Sequence, residues 1–175
     1  MTAERTREEF VAMRATIQSR GTARIVLVPV VFIGWAATAV ATAAVITVAI
    51  STLVPLMVLA AGFEAIYALQ SNVERIGRYL QVFHEESEGW EHVAMSYGER
   101  FPGGTDPLFS RLFVLTVSVN FLPAALGGEL AELVVLGVLH LLFINRIRLA
   151  GAAAKRQRVE DLERFRALRD GAERF

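Results

Sequence analysis

Hydrophobic and polar positions fall along this chain in long blocks. From Ile25 to Phe63 no residue carries a charge, and the apolar run continues to about Leu69. From Leu112 to Asn145 the only charges are Glu129 and Glu132. A charged side chain at mid-bilayer costs about 2.5–3.5 kcal/mol, so charge-free blocks bounded by arginines mark segments that prefer hydrocarbon. A span takes roughly 20 residues at about 1.5 Å each, so each block holds two. Ser51, Thr52 and Pro55 break the first block, and proline is tolerated in a helix's first turn. Spans are therefore predicted at about 25–49 and 53–70. Gly127-Gly128 is a turn signal in the second block, giving spans at about 109–126 and 129–146.

The polar segments read as helix. Thr6-Arg7-Glu8-Glu9 has capping-box spacing, and Phe10, Val11, Met13 and Ile17 follow as the apolar side of an amphipathic helix. After span two, Leu69, Val73, Ile76, Leu80, Phe83, Ser87, Trp90, Ala94 and Tyr97 step by four and three alternately, a heptad seam. It predicts that span two continues as one helix to a cap at Gly98, extending about 40 Å beyond the membrane, with a bend at Gly89. Phe101-Pro102-Gly103-Gly104 reads as a loop, and Asp106-Pro107 as N-cap and first residue of the next helix. Arg146 to Asp170 is rich in Ala and Arg, with Val159, Leu162, Phe165 and Leu168 on one side and Gly171 at its end. Span four is thereby extended too.

The predicted fold class is all-α: a polytopic membrane protein with four transmembrane helices as two hairpins and helical cytoplasmic extensions of spans two and four. The segments are an N-terminal amphipathic helix (1–24), the first hairpin (25–70), a helix and loop (71–108), the second hairpin (109–146) and a basic tail (147–175). Small residues from Ala36 to Ala44, and Ala60, Ala61, Gly62 and Ala65, predict close packing of the first pair.

Charge adds the orientation. The 18 basic and 18 acidic residues cancel over the whole chain but not locally. Residues 1–24 carry five arginines against three acids, and 146–175 carry nine basic residues against five acids. No Lys or Arg occurs in the short turns near 50–53 and 127–129. By the positive-inside rule the three charged segments share the cytoplasmic face. The first 24 residues are too polar and acidic for a signal or transit peptide, which points to a multi-pass protein of an inner (plasma) membrane with both termini cytoplasmic. Hydrophobic residues make up 54% of the chain and cysteine is absent, excluding disorder, a disulfide scaffold and cysteine-ligated metal. Without a basic excess, no nucleic-acid partner is expected.

Candidate chemistry is sparse. His140 lies inside span four with Gly137 one turn before it, leaving room for a metal-centred cofactor on the ring. The alternative is a hydrogen bond to Asn120 or Thr116 of span three. Glu132 and His140 share an i, i+8 stripe, and with Asn120 and Glu64 they could form a proton or cation path. The alternative for both acids is interfacial, with Glu64 paired to Arg75 or Arg111. His84, Glu88 and His92 are four apart and could bind metal on one helical face, against a solvated acidic face. Glu85, Glu86, Glu88 and Glu91 are expected to meet Lys155, Arg156, Arg158, Arg164 and Arg166 across the two extensions. No phosphate loop or nucleophile motif is present, so no enzyme and no cofactor is expected. The leading expectation is a structural subunit of the bilayer that forms homo-oligomers or joins a larger membrane complex, with Leu69, Val73, Ile76, Leu80, Phe83 and Trp90 as its contacts. A channel or carrier using Glu64, Asn120, Glu132 and His140 is the alternative, and a cofactor-holding subunit through His140 the third.

Overall fold

The computed structural model describes residues 3–45, 49–85, 88–101 and 106–172. Its elements are all helices: α1 (Ala3–Val45), α2 (Leu53–Phe83), α3 (Trp90–Arg100), α4 (Ser110–Gly127) and α5 (Leu130–Ala172), with a short 3-10 turn at Ala49–Thr52 before α2. Four of them, all but α3, are long and apolar enough to cross a membrane. The chain divides into an apolar unit, residues 24–68 and 106–151, and a polar unit, residues 1–23, 69–105 and 152–175.

In the apolar unit the packed centre is aromatic. Phe63 of α2 and Phe113 of α4 are fully buried and meet edge-on at 5.2 Å. Phe32 of α1 lies 5.1 Å from Phe113, and Phe143 of α5 lies 6.0 Å from Phe63. Leu59, Ile66, Val117 and Ile147 close around them. Lipid tails are as apolar as these side chains, so shape and contact hold the helices together in a bilayer, with little help from water exclusion. Within this unit, buried positions 113, 117, 120 and 124 of α4, with Thr116 beside them, and 136, 140, 143, 147 and 150 of α5 step by fours and threes. These seams are the inward faces of the two helices.

The close approach of α1 to α2 is local. A Cβ on Gly62 would fall within van der Waals range of both Val31 methyls and 3.0 Å from the Val31 Cβ. Gly62→Ala therefore drives the two helices apart, with an expected cost of about 1–3 kcal/mol. Thermal unfolding in detergent checks it, with Gly127→Ala, whose added methyl meets nothing within 4 Å, as control. The alanine run of α1 was expected in this contact. Ala36, Ala37, Ala41 and Ala44 are instead exposed, because Val31 and Gly34 already set the approach.

Three expectations for local structure are corrected. α1 is unbroken from Ala3, so the surface helix and span one are a single element and Thr6 lies inside it, not at a cap. The helix after span two stops at Phe83; Ser87 and Glu86 lie outside the described residues, and a separate α3 begins at Trp90. The reason is electrostatic: acids are disfavoured at a helix C-terminus and favoured at an N-terminus. Glu85 accepts the Glu91 backbone N–H at 2.8 Å, so the acidic run starts α3 and does not prolong α2. The loop residues 102–105 lie outside the described set. Finally, Phe109, not Asp106, is the N-cap of α4, in the left-handed region at φ 53°. Asp106 still serves that helix end, accepting the Arg111 N–H at 2.9 Å. Burial opposes its ionisation, but bonds from Arg111, Ser110 and Leu108 outweigh that and hold the carboxyl below its usual range.

Candidate functional site

The inward faces of α4 and α5 carry Asn120 and His140, 5% and 3% exposed, with Thr116 also buried on α4. An unpartnered amide or imidazole in hydrocarbon is costly, so each must find hydrogen bonds inside the bundle. Asn120 Nδ2 donates to His140 Nε2 at 3.0 Å and to the Thr52 carbonyl at 2.9 Å. Its Oδ1 accepts from Trp35 Nε1 at 3.0 Å. His140 Nδ1 lies 2.7 Å from the Leu136 carbonyl. A carbonyl can only accept and an amide nitrogen can only donate, so the imidazole proton is on Nδ1 and the Nε2 lone pair receives Asn120. Asn120 thereby ties α1, the turn before α2, and α5 to α4 with its amide satisfied on both sides.

The expected bond between His140 and Asn120 is present, while Thr116 returns its hydroxyl to Leu112 of its own helix. Both ring nitrogens of His140 are engaged, and Phe121 lies 5.0 Å from the ring near Gly137. A metal on Nε2 would have to displace Asn120. Beside the network lies a cavity of about 520 Å³ walled chiefly by Trp35, Ala39, Ala43, Ala49, Pro55 and Asn120. The polar atoms of Trp35 and Asn120 on its wall are already bonded, the Thr42 and Thr52 hydroxyls return to carbonyls of their own segments, and Ser51 adds a further hydroxyl to a lining that is otherwise mainly apolar.

The two carboxylates are elsewhere. Glu132 sits in the first turn of α5, where its side chain reaches back to the Glu129 N–H at 3.3 Å. That bond and the helix dipole account for an acid there. Glu64 is about half exposed and pairs with Arg146 at 2.8 Å, not with Arg75 or Arg111. Arg146 also lies over the Tyr67 ring at 4.9 Å. Of the four residues considered for a proton path, Asn120 and His140 are therefore in direct contact, and Glu64 and Glu132 each have another partner.

In the polar unit, charge pairing between α2 and α5 uses Arg158 of the expected basic residues but acids other than those expected. Arg158 holds Glu74 through two of its nitrogens, and Arg75 meets Asp161 at 3.1 Å. Arg164 stays on its own helix with Glu160. Glu85 and Glu91 turn to Arg14 of α1, at 2.6 and 3.2 Å. Glu91 also lies 3.6 Å from Arg78, whose side chain is 8% exposed. Burial lowers the Arg78 pKa, and Glu91 is the largest opposing influence. The approach of Glu91 depends on Gly77, where a Cβ would stand 2.7 Å from Glu91 Oε2. Burial, then the bond it donates to Glu9 at 2.9 Å, raises the Tyr79 pKa.

His84, Glu88 and His92 do not share a helical face, since the chain turns between them. His92 is bonded to the side chain and carbonyl of Gln81, and His84 Nε2 is 4.0 Å from Glu9. Among the described residues no three His, Cys, Asp or Glu side chains are placed to hold a metal ion. The heptad seam is used within the chain: Leu80 is fully buried, Leu69, Val73 and Ile76 are half-buried, and Phe83 stacks with Tyr79 and Phe165. Trp90 departs from it and is 67% exposed. Sequence reasoning missed Trp35 and Thr52 as partners of Asn120. The one signal for Trp35 was an indole N–H inside a charge-free span, where it needs an acceptor. No protein-family model, no curated protein and no solved structure matches the chain.

Proposed function

We propose that the chain is a small, non-catalytic inner-membrane subunit that assembles with copies of itself or within a larger membrane complex. Its four spans form two hairpins with both termini cytoplasmic, as the distribution of arginines requires. The contact face we assign is α3 in place of the heptad seam, which is consumed internally.

The observation that carries this reading is the outward face of α3 and its C-cap. Trp90, Val93, Tyr97 and Phe101 follow at helical spacing and are each more than half exposed. Tyr97 and Phe101 stack on one another at 5.0 Å. The opposite face is held inward by Glu91, His92 and Met95 through Arg78 and Gln81. Large aromatic side chains in a charged unit form a patch on the order of 300 Å², the size at which exposed apolar surface marks an interaction site. Tryptophan and tyrosine are also the residues that dominate binding at protein interfaces.

Mass measurement of the purified protein in mild detergent tests the reading. The expected result is an assembly larger than the 19.2 kDa chain, reduced toward a single chain by Trp90→Ser combined with Tyr97→Ser. A single chain with no stoichiometric companion in the unsubstituted protein would overturn it.

A further inference from the structure

The apolar unit contains a second recess, chemically unlike the chamber beside Asn120. It is a groove of about 540 Å³ between the start of α4 and the middle of α5. Val114, Leu115 and Ile147 form its apolar wall, and Arg111 and Arg148 stand at it from the two helices. No atom lies within 4 Å of where a Cβ on Gly151 would point, so the α5 side is low and open.

Three observations specify the occupant. First, the two side chains are exposed cations whose guanidinium groups hold no acid: Arg75, Arg146 and Arg158 each hold a carboxylate, whereas among the described residues none lies within 4.0 Å of the Arg111 or Arg148 guanidinium, Asp106 meeting Arg111 only at its backbone N–H. Second, other donors at the groove are already used. The Arg111 backbone N–H goes to Asp106, and Ser118 donates to Val114. An anion would have to be held by the guanidinium groups, whose forked donors match a phosphate. Third, both arginines border charge-poor blocks, Arg111 just before Leu112 and Arg148 three residues after Asn145. Charge at the rim beside an apolar wall, with Leu115 exposed, Val114 half-buried and the buried Ile147 at its floor, fits an amphiphile better than a free ion.

We infer that this groove binds an anionic phospholipid, with its phosphate on Arg111 and Arg148 and an acyl chain along Val114, Leu115 and Ile147. A zwitterionic headgroup would add its own cation beside two guanidinium groups, so the site selects net negative charge. The inference goes beyond the assembly reading and uses only its premise that these helices cross a bilayer.

The test is native mass spectrometry of the full chain in micelles titrated with phosphatidylglycerol or phosphatidylcholine, which depends on neither assembly nor orientation. Phosphatidylglycerol is expected to stay bound at concentrations where phosphatidylcholine does not. Arg111→Gln and Arg148→Gln should each weaken it about five-fold, the effect of one basic residue at an anionic surface. Gly151→Leu, which fills the groove without altering charge, should weaken it comparably, and Arg166→Gln in the polar unit should not. Equal binding of both lipids, an equal loss with Arg166→Gln, or displacement of the lipid by equimolar inorganic phosphate would each overturn the proposal. Unchanged thermal unfolding of the variants in phosphatidylcholine separates a lost site from a lost fold.

Discussion

Replacing Asn120 with leucine is expected to destabilise the apolar unit by about 2–4 kcal/mol, the largest effect of any single substitution in the spans. The side chains share branching and heavy-atom count, and leucine's extra bulk at this buried position adds some overpacking to the loss. What is lost is one amide that serves three partners: Trp35 Nε1, the Thr52 carbonyl and His140 Nε2. All three lose that partner inside the bundle. The estimate stays well below three full desolvation penalties, because polar groups in the separated helices also find partners within lipid. His140→Leu should cost less, since the Leu136 carbonyl it releases already sits in a helix. Reversible unfolding in mixed micelles measures both, and the double variant should show positive coupling between them. The outcome that would count against this account is Asn120→Leu behaving like Val119→Leu, a change at a lipid-exposed neighbour.

In the polar unit the largest effect belongs to Glu91. Glu91→Ala should cost about 3 kcal/mol, the usual consequence of leaving one member of a buried ion pair alone. The stranded charge is Arg78, which keeps Gln81 and Met95 as contacts but no acid as close as Glu91. The lost contact to Arg14 adds little, because that side chain is 30% exposed and screened by water. Arg78→Met in the same chain should recover most of the loss, since a buried pair replaced by apolar groups is close to neutral. Hydrogen exchange of the α3 amides in the full chain is the appropriate measurement: protection falls in Glu91→Ala and returns in the double variant. If Glu91→Ala leaves α3 protection unchanged, the ion pair is not what holds that helix.

The charge-free blocks identified each of the four helices long and apolar enough to cross a membrane, though α1 starts well before its expected span, because lipid imposes a severe filter on composition that is visible residue by residue. Span three was expected at about 109–126 and α4 runs Ser110–Gly127; Pro55 falls in the first turn of α2, as expected. The contact between His140 and Asn120 was also legible, since a buried polar group in hydrocarbon needs a partner and few were available. Less legible was the region after Phe83. A heptad spacing continued through it on paper, but spacing ignores direction, and the helix dipole makes four closely spaced acids a poor end and a good beginning.

The sequence by itself determined which segments are apolar enough to enter lipid and that their polar residues must satisfy one another. Only the tertiary structure decided the partners: Arg146 for Glu64, Arg14 for Glu85 and Glu91, Trp35 and Thr52 for Asn120. It also decided that the heptad face is spent inside the chain while Trp90, Val93 and Tyr97 stay outside. Partition into a bilayer is a property of each segment summed over its own residues. Pairing depends on which residues of different helices come within about 3 Å of each other, and that follows from packing at positions such as Gly62 and Gly77.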